Sequence, residues 1–170
     1  MESVLKMSLG GFPPLSARGC TQTLVPLNQG HFVRSINGEG HYIGPTSTKY
    51  KSVVACNDKV PLATQGLHLG GKVWVECIQS LWQKVDSGEE ERQVRLERMP
   101  VEGSVQGMTE ERETIPLEKS DDPQIFTLPP LAKPLFIAYR PVMEMFIRGY
   151  ELFTDEWGLC SGWKLELEEV

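Results

Sequence analysis

Apolar and polar residues alternate through much of this chain. In "WKLELEEV" (163–170), Trp163, Leu165 and Leu167 fall on one side and Lys164, Glu166 and Glu168 on the other. That period of two marks a strand with one buried face. Just upstream, "VMEMFIRGYELF" (142–153) places Met143, Met145 and Ile147 at odd positions, then Tyr150 and Leu152 at even ones. A strand changes faces only where a residue is inserted, so the pattern predicts a bulge at Gly149. "TDEWGLCSG" (154–162) reads as a turn, and 142–153 and 163–170 are predicted to pair antiparallel.

The remaining segments follow the same logic. "TQTLVPL" (21–27), "HFVRSI" (31–36), "HYI" (41–43) and "KYKSVVACND" (49–58) are rich in strand-forming residues. Asn37 and Gly38, in "NGEG" (37–40), tolerate the positive φ of a tight hairpin between the second and third. "KVWVECIQSLWQKV" (72–85) is expected as one long, bent strand, joined by the charged turn "DSGEEE" (86–91) to "RQVRLERM" (92–99) as a hairpin. No window of a dozen residues keeps helical spacing, and 12 prolines and 16 glycines interrupt the candidates. Only "VQGMTEERET" (105–114) has helix-friendly composition, and it has little apolar face to bury. The expected fold is all-β, an antiparallel sandwich or barrel, with 1–170 forming a single β domain.

Charge singles out the middle of the chain. Residues 86–124 hold twelve acidic and five basic groups, a net of −7 against +1 elsewhere. With its glycines and prolines, 100–124 reads as an exposed acidic excursion: a solvated loop, or an arm ordered by a partner. "LPPLAKP" (128–134) extends it as a proline-broken edge segment, so 100–134 is expected as a long loop or arm insertion. The overall charge of −6 argues against nonspecific nucleic-acid binding, which needs a basic face. No run approaches the ~18–20 apolar residues of a membrane span. The opening "MESVLKMSLGGFPPLSARG" lacks the continuous apolar core of a secretory signal, which predicts a chain made and retained in the cytosol. In that compartment Cys20, Cys56, Cys77 and Cys160 are expected as reduced thiols.

Candidate chemistry is sparse. His31, His41 and His68 are scattered, and no C-x-x-C or H-x-x-x-H pair suggests zinc. Cys56, Cys77, His41 and His68 are better read as buried thiols and loop imidazoles than as a metal cluster. No G-x-S-x-G elbow or phosphate loop occurs, and "LGGK" alone lacks the required ending. Cys20 and Cys160 have no local histidine partner, and Asp155–Glu156 reads as turn capping. These residues predict no enzyme, no cofactor and no metal. Among the tryptophans, Trp163 belongs to the apolar stripe, while Trp157, in a polar turn, is expected to face outward. Subunit or core contact is favoured over sugar stacking for these rings. Trp157, Met108, Pro129, Pro130 and Pro134 are the expected contact residues.

Two stretches together carry a likeness: "LSARGCTQTLVPL…FVRSINGEG…KYKSVVACNDKVPLATQGLHLGGKVWVECIQSLW" (15–82) and "YRPVMEMFIRGYELFTDEWGLCSGWKLELEEV" (139–170). The pattern is an Arg followed by Asn-Gly, a Lys-Tyr strand, a Pro-containing loop, a Gly-Lys-led strand ending in Cys, then Asp-Glu-Trp-Gly before an alternating strand. It resembles small structural proteins of tailed-bacteriophage virions, of tail or baseplate type. The resemblance covers a little over half the chain and leaves out the acidic middle. It implies an all-β, non-enzymatic subunit, made in the bacterial cytoplasm and built into the virion. Such a subunit would associate with itself, as a ring or higher oligomer, and with neighbouring tail or baseplate proteins. Decoration of a capsid is the nearest variant; a carbohydrate-binding β-sandwich is the alternative of a different class, and a small Cys/His enzyme a third.

Overall fold

The computed structural model describes residues 5–27, 30–45, 47–88, 92–130, 133–158 and 160–170, leaving aside the side chains of Cys160 and Ser161. Fifteen strands and no helix occur among them. In chain order these are β1 (Lys6–Met7), β2 (Thr21–Pro26), β3 (His31–Arg34), β4 (Gly40–Ile43), β5 (Tyr50–Cys56), β6 (Lys72–Glu76), β7 (Leu81–Val85) and β8 (Arg92–Arg95). They continue with β9 (Gln106–Thr109), β10 (Thr114–Ile115), β11 (Glu118–Lys119), β12 (Ile125–Leu128), β13 (Leu135–Tyr139), β14 (Val142–Thr154) and β15 (Cys160–Glu169).

The alternating segments build a six-stranded antiparallel sheet in the order β1-β6-β14-β15-β5-β2. β15 is thus an inner strand, held by β14 on one side and β5 on the other. Its stripe is buried as the period requires: Trp163, Leu165 and Leu167 join Val54, Val73, Val75, Met143, Met145 and Ile147 in one core. The loops before β2 and β6 cover this face, contributing Phe12, Ala17, Leu62 and Leu67. Trp163 stacks on Phe12, centroids 5.8 Å apart, and its indole N–H donates to the Ser16 carbonyl. Satisfying that N–H is what lets so large a ring sit dry. The opposite face is a lattice of exposed ion pairs, including Lys51–Glu166 at 3.2 Å and Lys72–Glu144 at 3.4 Å.

The predicted bulge is present. Ile147 pairs with Leu167 and Gly149 with Glu166, so β14 carries one extra residue, Arg148. Beyond it the strand leaves the core, and Tyr150, Leu152 and Phe153 are exposed.

Two expectations fail. The stretch 72–85 is not one strand: β6 lies in the large sheet and β7 in another, with 77–80 between them. The backbone N–H groups of Ile78 and Gln79 both donate to Gln22 Oε1, at 2.6 and 3.0 Å, which turns the chain out of the first sheet. Nor do β7 and β8 form a hairpin. β7 pairs with β13 and β8 with β12, where Val94 lies opposite Phe126. Apolar partners distant in sequence prevail over the adjacent turn, whose residues 89–91 lie outside the described residues.

The stretch 100–134, expected as an arm, carries β9 to β12. The four-stranded sheet β10-β9-β13-β7 and the three-stranded sheet β11-β12-β8 share a second core of Val85, Leu96, Phe126, Leu128, Leu135, Ile137 and Tyr139. The helix-friendly 105–114 is a hairpin instead, with Arg112 at φ 67° in its turn. Leu81 packs against both cores. The architecture is all-β and sandwich-like, as expected from the alternation.

Candidate interaction surfaces

The expected contact residues are divided between the two halves. Trp157 stands in the turn between β14 and β15 and is 81% exposed. Its backbone N–H donates to Asp155 Oδ1 (3.0 Å), and Gly158 closes the turn at φ 76°. Pro129 and Pro130 are exposed between β12 and β13, and Pro134 is half-buried just before β13. Met108 is half-buried in β9, where it lies opposite both Thr114 and Phe136. Its backbone is thus paired on both sides, while its half-buried side chain shares a sheet face with Thr114 and Phe136.

Two surfaces stand out, of which the residue patterns single out only Trp157. The first is the hairpin of β3 and β4, in register His31↔Ile43 through Arg34↔Gly40. Its turn is closed by the Ser35 N–H to the Glu39 carbonyl and the Gly38 N–H to the Ser35 carbonyl, both 2.9 Å, with Gly38 at φ 83°. Among the described residues it joins no other sheet, and all eight strand residues are exposed. Phe32, 80% exposed, lies 5.1 Å from Tyr42, and Val33, Ile36 and Ile43 are exposed beside them. At the base, Tyr42 lies over Gly30 and Gly44, where a Cβ on either glycine would collide with its ring. The hairpin flanks an open depression of about 620 Å³ whose walls include Pro26, Leu27 and Pro45. The signal available in the sequence was adjacency. Phe32-Val33 and Tyr42-Ile43 put apolar residues on both faces of each strand, leaving neither face for water.

The second surface is the ribbon of β14 and β15 past the bulge. β6 pairs with β14 only from Val142 to Phe146. Gly70 and Gly71 then bracket Ile147 through backbone hydrogen bonds of 2.8 and 2.9 Å. From Arg148 to Thr154 no strand among the described residues pairs with that side. Tyr150, Leu152, Phe153 and Trp157 are exposed along it.

A cleft of about 370 Å³ separates the start of β5 from the edge strand β7. Tyr50, Ser80, Leu81, Trp82, Gln83, Glu97 and Tyr139 are among the residues that line it. Arg98, beside it, stacks its guanidinium 4.9 Å from the Tyr50 ring.

Cys56 and Cys77 are free thiols, and Cys20 is half-buried. Cys20 and Cys56 donate to the carbonyls of Ala17 and Arg18, and burial pushes Cys77 up to about 11, so it stays protonated near neutrality. The Cys160 side chain lies outside the described residues. His41 lies 3.9 Å from Glu39 in the exposed hairpin. Among the described residues no group of three His, Cys, Asp or Glu side chains is placed to hold a metal. No helix among them is long and apolar enough to cross a membrane. No family model, curated protein or solved structure matches this chain.

Proposed function

We propose that the chain is a non-enzymatic structural subunit of a tailed-phage virion, of tail or baseplate type. It assembles with itself and with neighbouring proteins through exposed strands. The observation that carries the assembly reading is the β3–β4 hairpin. A two-stranded hairpin is marginal on its own, yet this one offers Phe32, Ile36, Tyr42 and Ile43 to solvent. Burying such a patch against a neighbouring subunit is the ordinary reason for its exposure. The virion assignment draws on the resemblance carried by residues 15–82 and 139–170.

Crosslinking mass spectrometry on purified particles tests both parts. The chain should be found in the particle, with Lys49 and Lys51, close in sequence to the hairpin, crosslinked to another copy or another structural protein. A chain missing from particles and strictly monomeric in solution would overturn the proposal.

The cleft beside Trp82 favours a second reading, carbohydrate binding, because rings and hydrogen-bonding groups converge there. That reading requires a tryptophan fluorescence change with oligosaccharides that Trp82→Ala removes. Silence across a broad glycan panel eliminates it.

A further inference from the structure

We propose that Cys20 and Cys56 form an oxidation site, a pair of thiols that a small disulfide such as oxidised glutathione converts to a cross-strand disulfide. The bond staples the edge strand β2 to β5, independently of any partner the chain assembles with.

Register sets the pair. β2 and β5 run antiparallel from Pro26↔Tyr50 to Thr21↔Ala55. One step further, the same register places Cys20 opposite Cys56. The two segments are still side by side two residues beyond, where the Arg18 N–H donates to Asp58 Oδ2 at 2.9 Å. Directly opposed residues in an antiparallel ladder alternate between hydrogen-bonded and non-hydrogen-bonded pairs. The Leu27 N–H donates to the opposed Lys49 carbonyl at 2.7 Å, so Leu27↔Lys49 is a bonded pair. Counting by twos, Val25↔Lys51, Thr23↔Val53 and Thr21↔Ala55 are bonded pairs too, and the even positions of β2 are not. Pro26, which has no N–H to give, falls at an unbonded position, as it must. Cys20 and Cys56 therefore take the closer kind of pair, with Cα atoms about 4.5 Å apart. That lies inside the roughly 4.4–6.8 Å that a disulfide spans.

Facing follows from the same parity. Cys56 is buried in the main core, and the half-buried Cys20 packs against that core, so both thiols leave one face of the sheet. Both sulfurs also reach one short loop. Cys20 donates to the Ala17 carbonyl at 3.2 Å and Cys56 to the Arg18 carbonyl at 3.3 Å. Oxidation exchanges these two weak hydrogen bonds for one S–S bond.

Cys20, the more exposed of the two, is the thiol that an oxidant reaches first. Its thiolate attacks one sulfur of oxidised glutathione; that S–S bond breaks, and a bond from Cys20 to glutathione forms. The glutathione released as thiolate takes up the proton that Cys20 lost. The Cys56 thiolate then attacks the Cys20 sulfur, the Cys20–Cys56 bond forms, and the second glutathione leaves and takes the Cys56 proton. Two protein thiols are oxidised and one small disulfide is reduced. The bond closes the segment 20–56, whose outer part carries the exposed β3–β4 hairpin, and fastens β2, which among the described residues pairs with β5 alone.

The test treats the native full chain with oxidised glutathione, blocks the remaining thiols with iodoacetamide and digests with trypsin. Peptides 19–34 and 52–59 should be recovered joined, two hydrogens lighter than their sum, and should separate on reduction. Cys20→Ser and Cys56→Ser should each abolish the joined species. Cys20→Ser, at the half-buried position, keeps the test open should Cys56→Ser fail to fold. The linked protein should melt at least about 5 °C above the reduced one, because the bond restricts the unfolded chain. Failure of the joined peptide to form in the native protein, with or without glutathione retained on Cys20, would overturn the proposal. So would a bond from Cys20 to Cys77 or Cys160 in its place, a 20–56 bond that forms only in denaturant, or a linked protein that melts no higher than the reduced one.

Discussion

The guanidinium of Arg98 holds the carboxylate of Glu169 through two hydrogen bonds, 2.7 Å from Nε and 3.0 Å from Nη2. The pair joins the segment after β8, at the small sandwich, to the last residue of β15 in the large sheet. Glu169 also accepts the Tyr50 backbone N–H at 2.9 Å, and Arg98 also donates to the Thr48 carbonyl. Burial disfavours the charged guanidinium, but Glu169 more than offsets this, so the Arg98 pKa rises. Both side chains are largely shielded, 12% and 15% exposed.

Removing one partner leaves the other charge shielded and unpaired, the costly way to break such a pair. Arg98→Met should therefore cost about 2–4 kcal/mol, and Glu169→Gln somewhat less because an acceptor remains. Replacing both at once should cost less than the two singles added together. Urea denaturation of the four proteins measures the coupling. Additive losses would show that the pair does not act as a unit.

Gly149 and Gly162 lie opposite one another's strands near the two register shifts of the β14–β15 ladder, and they should respond differently. Gly149 does not have a positive φ, and a Cβ there would meet nothing within 4 Å. Gly149→Ala should therefore change stability by less than about 1 kcal/mol. Gly162 has φ 135°, and an added Cβ would lie 2.5 Å from the Cys56 carbonyl oxygen. Gly162→Ala combines backbone strain with a collision against a neighbouring strand, so a loss of more than about 2 kcal/mol is expected. Thermal melts of the two variants decide it; equal melting temperatures would refute the distinction.

This contrast shows where residue patterns suffice. The parity switch from Ile147 to Tyr150 located the bulge correctly, because burial on one face enforces it. It did not reveal that the bulge tolerates a side chain, since that depends on empty space around Gly149. The break between β6 and β7 was illegible for a similar reason: the Gln22 amide, more than fifty residues upstream, captures the backbone at Ile78. Strand pairing in the acidic middle depended on Phe126 meeting Val94, a long-range match that charge and proline content obscured. Trp157 was legible as outward-facing because its turn is polar. The β3–β4 surface is legible only in the doubled apolar faces of Phe32-Val33 and Tyr42-Ile43, because strand-forming composition alone says nothing of exposure.

Acid should loosen the cover over the main core through Asp58. Its side chain is 4% exposed and meets the Arg18 guanidinium at 2.9 and 3.2 Å, while the Arg18 backbone N–H donates to it as well. These bonds hold the carboxyl well below the usual carboxylate range, with Arg18 the largest cause. A depressed folded-state pKa means that the unfolded chain takes up the proton first as pH falls. The stabilisation is full above about pH 4, the unfolded value, and is lost progressively below it. Asp58→Asn should lower stability at neutral pH and flatten the dependence between about pH 4 and 2. Urea midpoints across that range measure it, and an unchanged acid limb in the variant would rule Asp58 out as a cause.

Alkali should act through Cys77. This thiol is fully buried, and burial, the dominant cause, pushes it up to about 11, against a partial lowering by Gln22. An unfolded cysteine titrates near 8.5. Between these values the unfolded chain has released its proton and the folded chain has kept it, so unfolding becomes easier as pH rises. The contribution is intact below about pH 8 and declines toward pH 11, by about 3 kcal/mol in all. Cys77→Ala should remove that slope, although the smaller side chain lowers stability at every pH through the space it leaves. The native thiol should also resist alkylation: iodoacetamide at pH 8 should modify the half-buried Cys20 well before Cys77, and Cys77 should react promptly only in denaturant. Peptide-resolved mass spectrometry of the labelled protein gives both rates. Labelling of Cys77 as fast as Cys20 in the native state would mean that β6 and the 77–80 turn open readily, contrary to the packing of Cys77 in the main core.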